Sequence, residues 1–279
     1  MPLNFNGDLI SGTRVKLTVD NRGFKYGDAL FETVKIYHGK VIFWEDHYFR
    51  LMASMRMLRM KIPMNFTLEN LEEEILKTVL PISNSKVLRA RFSIYRKDGG
   101  YYMPDSNEVD YLIDVSESIV QRKNVYRIDL FKDFYHYSGL LSTLKTNNKI
   151  LNILASVYAK DNGLDNCVLL NEKKNITEAT NGNIFIVKGY TIKTPRLTEG
   201  CLKGILRKKI IEIITVDEDF TVEETAITPF EIQKADEVFI TNAIIGIQPV
   251  TNYRKKAFAT KVSEKLIKSL QLLEAKEKG

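Results

Sequence analysis

Cysteine is scarce in this chain, and long apolar runs are missing from it. The 279 residues include two cysteines, Cys167 and Cys201, too few for a disulfide framework and without metal-ligand spacing. The three histidines are scattered, so we expect no metal cluster. No run approaches the roughly 20 apolar residues that span a bilayer, and the N-terminal residues lack the basic-then-apolar order of a signal peptide. We therefore expect a cytoplasmic protein that is not embedded in a membrane.

Residues of one charge sign are not concentrated in any part of the sequence. Lys and Arg number 41 against 35 Asp and Glu, a net charge of +6 spread through short clusters. This mild excess does not indicate nucleic-acid binding and suits small anionic ligands better. Hydrophobic residues make up 44% and charged residues 27% of the chain, which excludes a largely disordered protein. The length predicts one large domain or two modest ones.

Local patterns predict interleaved strands and helices. His38-Gly39 indicates a turn between two strands, and a helix capped by Asp46 ends before Pro63. Because no regular βαβ repeat is present, a two-domain α/β or α+β architecture is favoured over a Rossmann sheet. The predicted strands are 17–19, 32–37, 40–43, 87–95, 111–115, 125–130, 166–170, 184–187 and 190–193, and the further predicted helices are 67–80, 148–162, 202–214 and 263–273.

The motifs of common nucleotide, zinc-protease and serine-hydrolase sites are missing, since the chain has no GxGxxG, GxxxxGK[ST], HExxH or GxSxG. Lys145 lies just before a predicted apolar helix. A lysine shielded from water can lose its proton and become a nucleophile toward carbonyls. A solvated loop lysine is the commoner case, and it stays open as an alternative.

Three other polar positions have both a functional and an ordinary interpretation. Glu178 lies in a polar turn before an apolar strand, and Arg50 follows His47 on the first predicted helix. Gly204 precedes a helix start, where free N–H groups and the helix dipole favour phosphate. A solvated carboxylate, a surface cation and a plain helix entry are the respective alternatives.

Taken together and in order, the segments that contain these residues resemble the class IV aminotransferases, which are pyridoxal-phosphate enzymes of fold type IV. The similarity runs from about residue 4 to about residue 250. The segments are RGFKYGDALFETV at 22–34, HYFRL at 47–51, LKTNN at 144–148, TEATNGNIF at 177–185 and LKGILR at 202–207.

The resemblance implies an α/β (α+β) protein of two domains. A smaller N-terminal α/β domain would take residues 1–117, an interdomain linker 118–124, and a larger C-terminal pseudo-barrel domain 125–279. It also implies pyridoxal 5'-phosphate as the cofactor, a small amino compound as the substrate, and a homodimer.

The resemblance further implies residue roles at the matching positions. Lys145 would bind the cofactor and act as the proton-shuttling base, and Glu178 would pair with the pyridine nitrogen. Arg50 would bind the cofactor phosphate together with backbone N–H groups of Ile205 and Leu206. Leu206 stands where many members have threonine, so only its backbone contributes. The remaining candidates are Leu202 beneath the cofactor ring, Asn242 in a phosphate-contacting turn with Thr241, and Phe31, Arg96 and Lys97 toward the substrate.

Three activities share this scaffold: branched-chain aminotransferase, D-amino-acid aminotransferase and 4-amino-4-deoxychorismate lyase. Asn148 is placed as in the lyases and D-amino-acid enzymes, and the loop YRKDGGYY at 95–102 resembles the lyases, although Tyr101 replaces their frequent arginine. We predict the lyase, which removes pyruvate to leave 4-aminobenzoate in folate biosynthesis, with Arg96 and Lys97 as cations for its dianionic substrate. The two aminotransferases are the alternatives. A further alternative is a binding protein of this fold that does not use the cofactor. The presence of Lys145, Glu178 and Arg50 argues against it.

Overall fold

The computed structural model describes residues 2–11, 17–80, 87–118 and 121–277. The chain divides into two compact units. The first takes in Met1–Val120 and the short segment Lys145–Asn148, and the second takes in Gln121–Leu144 and Lys149–Glu277. Residues 119 and 120 of the predicted linker lie outside the described residues, and the predicted domain boundaries stay a prediction.

The first unit is built on a six-stranded antiparallel sheet in the order β2-β1-β6-β5-β3-β4. Its strands are β1 (Pro2–Phe5), β2 (Asp8–Ser11), β3 (Ala29–Tyr37), β4 (Lys40–Val41), β5 (Leu88–Arg96) and β6 (Val109–Glu117). Because side chains alternate along a strand, Leu30, Glu32, Val34 and Ile36 of β3 share one face. The three apolar members of this row belong to the core, whereas Glu32 is a buried carboxylate.

Two helices cover that face of the sheet: α2 (Trp44–Met57) and α3 (Leu68–Val79). Met55 of α2 and Leu71 and Ile75 of α3 are fully buried in the same core as the β3 side chains. Thr67 caps α3 by accepting a hydrogen bond from the Asn70 amide, which satisfies one of the amides left unpaired at a helix start. A short helix, α1 (Arg22–Tyr26), precedes β3.

The sequence predicts most elements of this unit and misplaces some ends. The hairpin is confirmed, and His38 and Gly39 adopt the positive φ values of +50° and +74° that a tight hairpin turn needs. The predicted capping role of Asp46 is wrong: α2 begins at Trp44 after Phe43, and Asp46 lies in its first turn, where an acidic side chain also favours the helix dipole. Residues 17–19 form no strand, and the side chains of Leu17 and Val19 are exposed.

The second unit contains two five-stranded sheets, in the orders β12-β11-β10-β13-β14 and β16-β15-β7-β8-β9. Their strands are β7 (Arg127–Leu130), β8 (Asn166–Leu170), β9 (Ile176–Ala179), β10 (Asn183–Lys188), β11 (Thr191–Pro195), β12 (Thr221–Thr225), β13 (Glu237–Asn242), β14 (Gly246–Val250), β15 (Asn252–Tyr253) and β16 (Lys256–Ala257). The prediction of β8 is confirmed residue for residue. Strands β9 and β12 to β16 are not among the elements predicted from the sequence.

Four helices accompany these sheets among the described residues: α4 (Ile150–Asp161), α5 (Ile205–Thr215), α6 (Pro229–Lys234) and α7 (Lys261–Lys276). Helix α5 begins three residues later than predicted because Gly204 occupies its N-cap position. The buried carboxylate of Glu237 accepts hydrogen bonds from the amides of Val262 and Ser263 and so caps α7. In the described ranges no helix is long and apolar enough to cross a membrane.

Candidate active site

Lys145 lies in a short segment that pairs with the first residues of β3. The Phe31 amide donates to the Lys145 carbonyl oxygen at 2.9 Å, and the Asn147 amide donates to the Ala29 carbonyl oxygen at 3.0 Å. These backbone hydrogen bonds fix the segment at the edge of the sheet. The side chain of Lys145 is half-buried, so it is not the solvated loop lysine of the alternative interpretation.

Two cations lie against the aromatic ring of Phe31. The Lys145 Nζ is 4.4 Å from the ring centroid, and the Arg91 Cζ is 3.7 Å from the same centroid. Both distances lie within the range of cation–π attraction. Phe31 is 8% exposed, so its ring shields both cations from water on one side.

Arg91 is a candidate functional residue that the sequence analysis does not predict. Its Nη2 donates to Asn147 Oδ1 at 3.2 Å and its Nε donates to Ser93 Oγ at 3.2 Å. Burial lowers the pKa of the guanidinium, and the charge of Asp114 partly offsets that change. A signal is present in the alternation of β5, where Ala90, Phe92 and Ile94 are core residues and arginine lies on the other face.

Glu32, His47 and Arg50 form a buried cluster on the core face of β3. The exposed fraction of the Glu32 and His47 side chains is 1% each, and that of Arg50 is 9%. Glu32 Oε1 accepts from Arg50 Nε at 2.8 Å, and Oε2 accepts from Arg50 Nη2. His47 Nδ1 lies 2.7 Å from Glu32 Oε2. His47 and Arg50 come within one turn of α2, so one carboxylate reaches both.

The pKa values of this cluster follow from its charges. Burial alone would raise the pKa of Glu32, but the charge of Arg50 and the hydrogen bonds from His47 and Arg50 outweigh burial and lower it to about 2. Burial lowers the pKa of His47, and the charges of Arg50 and Lys145 act in the same direction against the partial opposition of Glu32. At neutral pH the cluster therefore holds an ionised Glu32 and a neutral His47 that donates through Nδ1.

The structure gives Arg96 and Lys97, the predicted substrate cations, ordinary protein partners. The Arg96 guanidinium is 7% exposed and binds Asp28 Oδ2 at 2.9 Å, the Leu58 carbonyl oxygen at 2.8 Å and Asn107 at its Oδ1. These contacts hold the Arg96 guanidinium within the protein, and its substrate-binding role stays a prediction. Lys97 is half-exposed and forms an ion pair with Glu108 at 3.2 Å.

In the second unit, Glu178 and Asn183 hold the backbone of Leu202 from both sides. The Glu178 carboxylate, 5% exposed on β9, accepts the Leu202 amide at 2.8 Å. Asn183 Nδ2 donates to the Leu202 carbonyl oxygen at 2.9 Å. The structure thus brings two predicted cofactor residues, Glu178 and Leu202, into direct contact.

A half-buried histidine, His136, lies near Glu178. His136 Nδ1 has no hydrogen-bond partner among the described residues. Burial lowers the pKa of His136, while the charge of Glu178 acts in the opposite direction. The three histidines are scattered in the sequence, and only the fold brings His136 close to the Glu178 carboxylate.

The start of α5 is shaped for close approach to its backbone. Gly204, at the N-cap, offers no capping side chain, and a Cβ there would lie 1.9 Å from Asn183 Oδ1. Ile205 and Leu206 form the first turn with their side chains buried. Their amides belong to the group that finds no acceptor within a helix, and such amides bind anions.

The end of β13 and the turn after it contain two neighbouring candidate residues, Thr241 and Asn242, whose side chains have different hydrogen-bond partners. Asn242 Oδ1 accepts the amides of Ile244 at 3.1 Å and Ile245 at 3.0 Å, so the predicted cofactor-binding side chain is engaged in its own turn. Thr241 is 1% exposed, and its Oγ1 has no hydrogen-bond partner among the described residues. A buried hydroxyl of this kind fits a ligand acceptor better than Asn242 does.

The sequence profile of the family described as amino-transferase class IV matches residues 29–253. The chain belongs to the class IV aminotransferase family. Family members use pyridoxal 5'-phosphate, and this chain is accordingly a pyridoxal-phosphate-dependent enzyme.

Relatives in this class IV family carry three different names. The chain is 28% identical to a putative branched-chain-amino-acid aminotransferase of Methanocaldococcus jannaschii, over 97% of this chain and 94% of the relative. It is 24% identical to a D-alanine aminotransferase of Bacillus licheniformis, over 97% and 95%. It is 25% identical to an aminodeoxychorismate lyase of Vibrio harveyi, over 83% and 85%.

Solved structures of class IV enzymes share the fold. The branched-chain aminotransferase of Thermoproteus uzoniensis superposes with a TM-score of 0.90 at 23% identity, covering 99% of this chain and 95% of that one. The pyridoxal-phosphate form of the Thermobaculum terrenum branched-chain aminotransferase gives a TM-score of 0.86 at 19% identity, covering 99% and 94%. The predicted mixed α/β fold type IV architecture is confirmed.

Each of the two units presents residues whose chemistry fits pyridoxal phosphate. In the first unit, Lys145 and Arg50 would supply the amine and a phosphate-binding cation. In the second, Glu178 would pair with the pyridine nitrogen beside Leu202. The orphaned Thr241 hydroxyl and the start of α5 at Ile205 and Leu206 would receive phosphate oxygens. In the described residues, no group of His, Cys, Asp and Glu side chains that could hold a metal ion occurs.

Proposed function

We propose that this chain is an aminotransferase that moves the amino group of an α-amino acid to a 2-oxo acid. The observation that carries the proposal is the pair of cations at one ring: Lys145 and Arg91 both lie against Phe31. An α-amino acid presents an amine and a carboxylate two bonds apart through one carbon, and it needs one group for each. Arg91 has the planar donor fork that suits a carboxylate.

Each residue then has a distinct task. Pyridoxal phosphate, when bound, supplies an electron sink for the negative charge that develops at the substrate carbon. Lys145 would remove the proton from that carbon and deliver it on the other side of the amino nitrogen, two bonds away, so that the nitrogen stays behind when the 2-oxo acid leaves. Arg91 orients the substrate by its carboxylate, and Asn147 and Ser93 hold Arg91 in place. Phe31 keeps water from one side of both groups.

The relatives support this choice over the lyase. The branched-chain and D-alanine aminotransferases each match over 97% of this chain, against 83% for the lyase. The predicted lyase also depends on Arg96 as a substrate cation, and the Asp28 and Leu58 contacts of Arg96 leave it buried in the protein.

The proposal is tested with the purified, cofactor-loaded protein. D-alanine, L-leucine and L-valine are each supplied with 2-oxoglutarate, and glutamate and the new 2-oxo acid are followed by chromatography on a chiral column. We expect turnover with one of these amino acids, and a loss of at least about 1,000-fold in Lys145→Ala because both proton transfers use that amine. Turnover by Lys145→Ala equal to that of the natural chain would contradict the proposal.

The lyase remains a second candidate because of the loop after β5. Gly99 and Gly100 adopt φ values of +114° and +71°, and Arg22 donates to the carbonyl oxygens of Gly99 and Tyr101. This glycine pair is the feature that resembles the lyases. Formation of 4-aminobenzoate from 4-amino-4-deoxychorismate, measured by fluorescence in the same preparation, distinguishes the two functions. Rapid product formation without any transamination would replace the proposal and place the protein in folate biosynthesis.

We also propose a homodimer, on the ground of the outer face of α4. Ile150, Ile153 and Val157 recur at helical spacing and are 67%, 56% and 52% exposed. The opposite face of α4, with Ala155 and Ala159, is already buried against the core. A helix apolar on both faces is typical of one that another surface covers, and a second copy of this chain is the expected occupant.

Sedimentation equilibrium tests this association. We expect a dimer, and a shift to monomer in Ile153→Glu, because a charge would be buried at the contact. Val216→Glu, at a position that is 83% exposed outside α4, is the matched control and should stay dimeric. A monomeric natural chain would refute the proposal. The cytoplasmic location stays a prediction.

A further inference from the structure

The Glu32 carboxylate occupies a position on the core face of β3, where the neighbouring side chains are apolar. Its neighbours on the core face of β3, Leu30 and Val34, are 1% and 0% exposed, and Glu32 itself is 1% exposed. Burying a carboxylate is unfavourable unless charged and hydrogen-bonding partners compensate it. An apolar residue would fill this place without such partners, so the position of Glu32 calls for a reason beyond packing.

The contacts of Glu32 fix the direction of one guanidinium. Arg50 donates through Nε and Nη2 to the two oxygens of the same carboxylate. Such a two-bond fork sets the plane of the guanidinium as well as its position, because the group is rigid and flat. Arg50 therefore points in one direction before any ligand arrives.

His47 in turn fixes the carboxylate. Its Nδ1 lies 2.7 Å from Glu32 Oε2, and the ring is 1% exposed. A carboxylate held only by Arg50 could rotate with it. His47 donates from a position three residues before Arg50 on α2, so both partners of the Glu32 carboxylate belong to the same helix.

We propose that Glu32 and His47 are positioning residues that aim Arg50 at the phosphate of the cofactor. This inference rests on the phosphate-binding role of Arg50 and not on which substrate the enzyme uses. Neither Glu32 nor His47 touches the cofactor in this scheme. Their effect is on the affinity for the phosphate group alone.

The test compares two ligands that differ only in the phosphate. Dissociation constants for pyridoxal 5'-phosphate and for pyridoxal are measured by absorbance titration of the cofactor-free protein. We expect Glu32→Gln to weaken pyridoxal 5'-phosphate binding about tenfold or more, since a neutral amide cannot hold both guanidinium nitrogens as an acceptor, and to leave pyridoxal binding unchanged. Arg50→Lys should show the same selective loss.

Two further variants separate positioning from folding. His47→Asn keeps a donor near the place of Nδ1 and should retain more phosphate-dependent affinity than His47→Leu. Glu237→Gln changes another buried carboxylate, which caps α7, and should change neither affinity. Circular dichroism and thermal unfolding establish that each variant is folded. If Glu32→Gln does not fold, the His47 pair decides the question.

The contrary outcomes are distinct. If Glu32→Gln and both His47 variants are folded and keep the natural ratio of the two affinities, while Arg50→Lys loses it, the positioning role is refuted. If Arg50→Lys also keeps the ratio, Arg50 does not bind the phosphate and the inference is refuted with it. Because only cofactor binding is measured, a failure of the proposed transamination leaves these results unaffected.

Discussion

The two faces of the six-stranded sheet surround their charged side chains with different partners. On the core face, the carboxylate of Glu32 is enclosed by His47 and Arg50, and Arg96 is enclosed by Asp28 and backbone oxygens. On the other face, two cations share the ring of Phe31. On the core face the charged side chains are enclosed by their partners, whereas on the other face Arg91 has Asp114 across from it on β6 and also reaches the ring of Phe31, which Lys145 shares. Arginines on the same strand thus differ in their partners, and the proposed function assigns a substrate contact to Arg91 alone.

The largest expected effect separates two of the three arginines of β5, Arg91 and Arg96. Arg96→Ala should lower the free energy of unfolding by about 3–5 kcal/mol, because it removes a buried guanidinium with all its hydrogen bonds and leaves the partly buried Asp28 carboxylate with Arg22 as its remaining cation. Arg91→Ala should change that free energy little and should lower kcat/KM for the amino acid about 10- to 100-fold, the value of a lost charge-assisted contact. Urea unfolding and steady-state kinetics on the same preparations measure both.

Arg91→Lys and Arg96→Lys are the matched controls for this pair. Arg91→Lys should recover part of kcat/KM because the charge remains. If Arg96→Ala lowers kcat/KM while unfolding at the same urea concentration as the natural chain, the contrast between the two faces is wrong and Arg96 contacts substrate.

The next effect concerns the acid sensitivity of the Glu32 cluster. The pKa of Glu32 is lowered to about 2 from an ordinary 4.5, so the stability it contributes is complete above pH 4.5 and is lost as the pH falls toward 2. The contribution is about 3 kcal/mol. His47, whose pKa is also lowered, adds a loss that begins as the pH falls below 6.5, because the unfolded chain takes up the proton first.

This loss is measured as the difference between the natural chain and Glu32→Gln in urea unfolding at pH 7, 5 and 3. We expect the difference to shrink as the pH falls, since the natural chain loses its ionised carboxylate. A difference that is constant with pH would show that Glu32 keeps an ordinary pKa.

A smaller effect is expected at Gly27, beside the Lys145 segment. Gly27 has a φ of +64°, and a Cβ there would lie 2.2 Å from Asn148 Oδ1. Gly27→Ala should cost about 1–2 kcal/mol of unfolding free energy for the backbone conformation, and more for the contact with Asn148. It should also lower kcat, because Asn148 belongs to the segment that positions Lys145.

Gly39→Ala is the control for this prediction. Gly39 has a φ of +74° with nothing within 4 Å of the added Cβ, so it reports the conformational part alone. Equal losses of stability and unchanged kcat in the two variants would show that the close contact at Asn148 has no consequence.

The smallest effect extends the comparison to the second unit. Thr241→Val removes a buried hydroxyl that has no partner among the described residues, so we expect the cofactor-free protein to gain up to about 1 kcal/mol of stability. The affinity for pyridoxal 5'-phosphate should fall roughly 2- to 10-fold. Thr194→Val, which breaks a 2.9 Å hydrogen bond to the Ile184 carbonyl oxygen, should lower stability instead. Loss of stability in Thr241→Val would mean that the hydroxyl is already satisfied.

The sequence predicts well what depends on local pattern. The β3–β4 hairpin follows from His38-Gly39, and α3 follows from the Thr67 cap and its apolar spacing. The two-residue strand β15 pairs with the distant β7 as well as with its neighbour β16, and a strand that depends on a distant partner has no local pattern that predicts it. The Asp46 prediction fails because an acidic residue suits the first turn as well as the cap.

The candidate site residues also differ in whether a local sequence pattern indicates them. Lys145, Arg50 and Glu178 are candidates that contiguous sequence motifs indicate. Arg91 is not indicated by any motif, because it becomes a candidate only through the register of β5 against β3, which places it diagonally across from Phe31. Arg96 stays a sequence prediction, and a sequence motif contains no information about its partners Asp28 and Leu58.

The attachment of Lys145–Asn148 to the first unit, although the residues on both sides belong to the second, has a consequence for folding. Lys145 is placed only when a very long loop has closed, so this segment should take its position among the last features of the native state. The same segment covers the edge of β3 at Ala29–Phe31. A fragment ending at Val120 would leave that edge unpaired, and bare edges invite strand-to-strand aggregation. The segment that contains Lys145 thus also protects this edge of the sheet from aggregation.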